Sequence, residues 1–194
     1  MMEGLALLQT FCEKLHPLPE AAWLDFAGIW QPMRLPRKSI MTQAGEVERY
    51  LYFVLEGTQR AYYLTGGGKQ QTVVFTYPYS FSGVADAFLL QAPALYFMET
   101  LTSSVFLRCR HERLQEVMER NREVERLVAR ATSLALHGAL ERQIELSCYT
   151  AEEKFRTLLK RSPHLLQHIP HKYLANYLGM DPTNFSKLLG SVRL

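Results

Sequence analysis

Residues 171–190, HKYLANYLGMDPTNFSKLLG, hold the arrangement of side chains in this 194-residue chain whose spacing implies a definite chemistry. Leu174, Leu178, Met180, Phe185 and Leu188 fall where two short helices must bury against each other, and Ala175 is small where they cross. Gly179 stands at the turn, where the backbone must become left-handed. Asp181 reads as a helix N-cap, and Pro182 as the first helical residue, where a missing N–H costs nothing. The spacing predicts a helix-turn-helix whose second helix begins at Pro182 and turns its first residues outward, the geometry that reads base edges in a DNA major groove. Charge agrees in sign. Residues 151–194 hold seven Lys/Arg against three Asp/Glu, an excess of +4, while the rest of the chain holds 15 against 16.

Such a head must be carried by something. Residues 121–147, NREVERLVARATSLALHGALERQIELS, predict one long helix with two apolar rows. Val124, Leu127, Val128, Ala131, Leu134, Ala135 and Gly138 form the first, a short coiled-coil-like seam with small residues that admit a second helix closely. Leu136, Leu140 and Ile144 form the second, starting nearly opposite Leu134. A helix apolar on two sides needs two partners, so a connector and homodimerisation helix is expected. After it, Thr150 and Glu153 have the spacing of a capping box for AEEKFRTLLKR.

Upstream, residues 31–110 break into about eight short runs rich in β-branched and aromatic residues, divided by turn signals such as Gly66–Gly68. They predict a barrel, jelly roll or β-roll, with a short helix inserted at Val84–Leu90. Residues 3–15 predict an amphipathic helix stopped by Pro17 and Pro19. The expected class is α+β. The expected parts are a β-roll sensor at 1–120, the connector and dimerisation helix at 121–148, and the helix-turn-helix domain at 149–194.

Composition excludes several classes. With 47% apolar and 21% charged residues the chain is ordinary globular protein. It has no run long and apolar enough for a membrane span, and its first twenty residues lack the basic start of a signal peptide, so a cytoplasmic protein is expected. Cys12, Cys109 and Cys148 are too few and too scattered for a disulfide framework or a metal knuckle. A thiol-sensing role for Cys109 and Cys148 ranks below inert thiols. No histidine lies in 31–110, which argues against a metal-dependent β-roll enzyme, and Pro170 interrupts the closely spaced His164, His168 and His171. Without a nucleophile elbow, phosphate loop or paired carboxylates, neither enzyme nor metal site is expected.

The order of parts resembles the catabolite-activator/FNR-type (Crp/Fnr) family of bacterial transcription regulators. The best segments are GEVERYLYFVLEGTQRAYYL at 45–64, FSG and the helix after it at 81–90, and HKYLANYLGMDPTNFSKLL at 171–189. The resemblance implies a double-stranded β-helix (jelly-roll) of the cyclic-nucleotide-binding type, and a homodimer on palindromic double-stranded DNA. It also implies an effector in each roll that alters the geometry of the heads. It places Pro182, Thr183 and Lys187 where members contact base edges, with Asn184 and Ser186 beside them; Lys172, Tyr173 and Arg193 are candidates for phosphate contacts.

The sensor departs from the pattern. Gly83 keeps the glycine of the ligand cassette, but Val84 replaces its ribose-binding glutamate, and Ala94 and Leu95 stand where the phosphate-binding arginine and its hydroxyl neighbour belong. A cyclic phosphate without that arginine is desolvated with no partner, so cAMP and cGMP are not expected. The remaining pocket is drawn from Val84, Phe88, Ala94, Leu95 and Tyr96, with His137 supplied by the connector. It is expected to hold a less charged small-molecule effector or none, and no cofactor. Members usually carry arginines in the recognition helix, which leaves one alternative: a protein-interaction or sensory dimer that has lost specific DNA binding.

Overall fold

The computed structural model describes residues 1–191; Arg193 lies outside them. Two helices open the chain, α1 (Met2–Leu15) and α2 (Glu20–Ala27), divided at Pro17 and Pro19. They bury Leu8, Cys12, Ala22 and Phe26 and leave their polar faces outward.

Eight strands follow: β1 (Gln31–Leu35), β2 (Ile40–Thr42), β3 (Tyr50–Glu56), β4 (Gln59–Leu64), β5 (Gln70–Thr76), β6 (Phe81–Ser82), β7 (Phe97–Thr100) and β8 (Ser104–Arg110). The short helix α3 (Ala85–Leu90) lies between β6 and β7. The strands pair antiparallel into two four-stranded sheets, ordered β1-β8-β3-β6 and β2-β7-β4-β5. Alternation decides which side chains meet. Tyr52, Val54 and Phe106 enter the roll from the first sheet, while Ala61 and Met98 enter from the second and meet Val84, Ala87 and Ala94. Phe53, Leu107 and Cys109 point the other way, into the larger core made with α1, α2 and the helices after β8.

Those helices are α4 (His111–Arg120) and α5 (Arg122–Cys148). Asn121 caps α5, its side chain accepting from the Glu123 amide at 3.2 Å. The first turns of α5 already have a partner inside the protomer. Val124 and Leu127 are fully buried against α1 and α2, and Val128 packs on the same core. This corrects their expected place in a dimer seam: the row is one helical face, but its first half is used by the N-terminal helices. From Thr132 to Glu141 every residue of α5 is exposed. Leu134 is 48% exposed, and the second row, Leu136, Leu140 and Ile144, lies open by more than half. Ala131, Leu134 and Ala135 line a cleft of about 470 Å³ whose far walls include Phe11, Val74 and Phe81.

The C-terminal head consists of α6 (Ala151–Arg161), α7 (Leu165–His168), α8 (His171–Leu178) and α9 (Pro182–Ser191). Thr150 and Glu153 form the reciprocal capping box at the start of α6. Phe155, Leu158, Leu174, Ala175, Leu178 and Phe185 close the head's core, which Phe75 and Leu101 of the roll also join. Among the described residues no helix is long and apolar enough to cross a membrane.

Candidate nucleic-acid interface

The turn between α8 and α9 explains how the second helix is presented. Gly179 has φ +67°, and its amide and that of Met180 bond back to the Asn176 and Ala175 carbonyls at 3.1 and 3.0 Å. That is the Schellman closure a left-handed glycine permits. Asp181 then caps α9, accepting from the Thr183 amide at 2.7 Å, and these bonds hold its carboxyl below the usual aspartate range. Phe185 is fully buried and Leu188 half-buried against the head's core. Pro182, Thr183, Asn184, Ser186 and Lys187 all remain exposed on the opposite face. The Ser186 hydroxyl donates to the Pro182 carbonyl at 3.0 Å, leaving its lone pairs outward. Lys187 is the one cation in α9.

Lys172 is exposed on α8, its Nζ 4.8 Å from the Tyr173 ring centroid. Tyr173 is placed differently from a free phosphate ligand. Its ring lies against the sensor, 3.9 Å from the guanidinium carbon of Arg60 on β4. Arg60 is 2% exposed, with the Tyr62 ring on another side at 4.4 Å. Its Nε donates to the Glu99 carboxylate at 2.6 Å, across the register that sets Arg60 opposite Glu99 on β7. Asn176, also on α8, reaches the outer edge of β5. Its carboxamide accepts from the Thr72 amide at 2.6 Å and donates to the Gln70 carbonyl at 2.9 Å, while the Gln71 side chain donates to the Asn176 carbonyl. A second tie runs to α5. Arg142 donates to the Tyr177 carbonyl and stacks on that ring at 3.9 Å, and Glu145 accepts from Arg142 and Arg161. Sequence reasoning missed Arg60, Asn176 and this network. The place of Arg60 within the strand-forming run QRAYYL of β4 was the available signal.

In the sensor, only part of the expected pocket comes together. Val84 and Ala94 are buried side by side in the small core with Ala61 and Met98, and Tyr96 packs on it. Gly83 adopts φ +117° beside Glu48, whose carboxylate would lie 3.7 Å from a Cβ added there. Three expected members are elsewhere. Phe88 turns into the core of α1 and α2 and packs edge-on against His111, because α3 shows one face to each side. Leu95 is 63% exposed. His137 stands on the open part of α5, 3.5 Å from Glu141, far along the helix from the turns that touch the roll.

Sequence reading also passed over Glu48. It is 2% exposed, accepts from the Tyr50 amide at 3.0 Å and from the Thr42 hydroxyl, and takes the Val84 and Arg49 amides as further donors. Burial pushes its carboxyl up from 4.5, partly offset by these donors. An acidic side chain of the chain itself thus occupies backbone donors at the start of α3. Arg108 stacks over the Tyr50 ring at 4.5 Å, in the same interior. Cys12 and Cys109 are buried, which pushes the Cys12 thiol up to about 12 and the Cys109 thiol up further, so neither supplies a thiolate; Cys148 is exposed. Among the described residues no three His, Cys, Asp or Glu side chains gather as a metal site would need. The His164 ring packs on Tyr77 at 4.7 Å.

Comparison with known proteins follows these parts. Residues 32–121 match the model of the cyclic nucleotide-binding domain family. No curated protein matches the chain. Among solved structures, FixK2 from Bradyrhizobium japonicum is similar at 18% identity, over 84% of this chain and 83% of its own, with a TM-score of 0.74. The catabolite activator protein of Thermus thermophilus is similar at 20% identity, over 91% and 87%, with a TM-score of 0.56. A protein of Eubacterium rectale described as a regulator of the Crp/Fnr family is similar at 14% identity, over 89% and 82%, with a TM-score of 0.68. Residues 32–121 are therefore similar to the cyclic nucleotide-binding domain, and the chain shares the fold of these solved structures.

Proposed function

We propose that the chain is a DNA-binding transcription regulator that acts as a homodimer on a two-fold-symmetric operator, and that its roll does not take cAMP or cGMP. The carrying observation is α9, where Phe185 and Leu188 anchor one face and Pro182, Thr183, Asn184, Ser186 and Lys187 leave a polar face free behind a defined turn. In a major groove, Lys187 reaches guanine acceptors, and Thr183 and Asn184 pair with base edges. Lys172 serves phosphates. Homodimerisation is supported by Leu134, Ala135 and Gly138 together with Leu136, Leu140 and Ile144, which leave apolar side chains exposed on α5 between two packed ends. Loss of cyclic-nucleotide binding is supported by Ala94 and Leu95 in place of cationic and hydroxyl groups. Glu48 supports it too, since an incoming phosphate would meet a carboxylate already holding the local donors. Any effector is a small molecule of lower charge.

The test is binding of duplex DNA followed by fluorescence anisotropy across salt. Log affinity should fall linearly and steeply with log salt, because released counterions drive the association. A second reading is favoured by Lys187 being the lone cation of α9: a protein-interaction or sensory dimer without specific DNA binding. Binding indifferent to both salt and sequence would select that reading.

A further inference from the structure

We propose that Asn176 and Arg60 are positioning residues that fix the recognition helix to the sensor sheet, so that the roll sets the spacing between the two operator half-sites. This rests on the DNA-binding function proposed above.

The chain between α5 and α6 is only Tyr149 and Thr150, both extended in backbone, and such a joint by itself leaves the head free to swing. The head is held by more than the joint, through bonds between α8 and β5. Strand β5 is the outer strand of its sheet, and an outer strand offers a row of unpaired amides and carbonyls. The Asn176 carboxamide takes one of each, the Thr72 N–H and the Gln70 carbonyl, as a neighbouring peptide group would. Gln71 closes a third bond to the Asn176 backbone. Three residues in a row of β5 therefore grip one residue of α8, and α8 carries α9 through the fixed Schellman turn.

Arg60 makes the grip planar. Its guanidinium is aligned by Glu99 and by the Gln70 side-chain carbonyl, and it is sandwiched between Tyr62 of the roll and Tyr173 of α8. A flat, fully charged group between two rings resists both sliding and tilting. Strand β4 gives this clamp its link to the pocket. Ala61, next to Arg60, points into the roll against Val84 and Ala94, whereas Arg60 points out toward the head. A change in packing around Ala61 thus moves the strand that holds Tyr173.

The test uses the full chain with two changes, Asn176→Ala with Gln71→Ala, and separately Arg60→Lys, which keeps the charge beside Glu99 but not the plane. Selection from random duplex DNA should return the same half-site sequence from wild type and variants. Wild type should hold one spacer length between half-sites, whereas the variants should accept several. Independently of DNA, spin labels at Glu56→Cys and Arg156→Cys, in a Cys148→Ser background and diluted with unlabelled protein, report the distance from roll to head within one protomer. A narrow distribution in wild type that broadens in the variants is expected. A distribution already broad in wild type, or unchanged in the variants, overturns the proposal. So does an unchanged spacer when the distance has broadened. If wild type selects no DNA motif, the DNA reading fails and the spacing claim with it, while the distances still show whether the clamp exists.

Discussion

Single side chains carry both the proposed reading of DNA by the head and the proposed refusal of cyclic nucleotides by the roll. Lys187 is the one cation on α9 and is exposed, so Lys187→Ala should cost about 1–3 kcal/mol at one operator position and relax base preference there. Competition binding against operators varied at each base checks this. Glu48 makes a different claim. Because burial raises its carboxyl, the folded protein keeps the proton at pH values where the unfolded chain has released it. The stability of wild type relative to Glu48→Gln should therefore fall as pH rises through 4.5 and the raised value above it, and be flat beyond. Tyr52 beside it stays protonated throughout that window, because burial pushes its phenol up. Denaturant midpoints of the two proteins from pH 4 to neutrality measure the difference. The sequence made the buried side of the head plain, since Leu174, Leu178 and Phe185 repeat at helical spacing. It could not reveal Glu48, because a carboxylate reads as surface until its donors are brought around it, the Thr42 hydroxyl from β2 and backbone amides from the start of β3 and the approach to α3.

Elements show where periodicity stops being informative. The strands, the turn at Gly179 and the capping box at Thr150 were legible because each rests on residues close in sequence. Gly179→Ala should destabilise the head by about 1–2 kcal/mol through the left-handed backbone alone. The nearest atom to an added Cβ, on Leu146, is 3.7 Å away, so no clash adds to that cost. Thermal unfolding followed in the head would show it. Helix α5 was legible as a helix with an apolar face, but a face does not name its partner. Val124 and Leu127 satisfy the same spacing as Leu134, yet the first two meet α1 and α2 while the third lies open. The same limit misplaced Phe88, since α3 has apolar residues on both sides and the sequence does not say which side faces the roll.

At the scale of the whole molecule, α5 joins a packed roll to a packed head across ten exposed residues. Leu140→Glu with Ile144→Glu places charge on that open face. It should convert a dimer to a monomer in light scattering while leaving each protomer folded, because both positions are more than half exposed. The docking of head on roll was invisible in the sequence. Asn176 and Arg60 lie over a hundred residues apart, and each looks like an ordinary polar surface residue in its own segment. The central claim, a dimeric reader of symmetric DNA, is tested most directly by incubating the purified protein with random duplexes near physiological salt and sequencing what it retains. A two-fold-symmetric motif with half-sites about one helical turn apart is the expected result. Retention of no motif, or of a single asymmetric one, would contradict it.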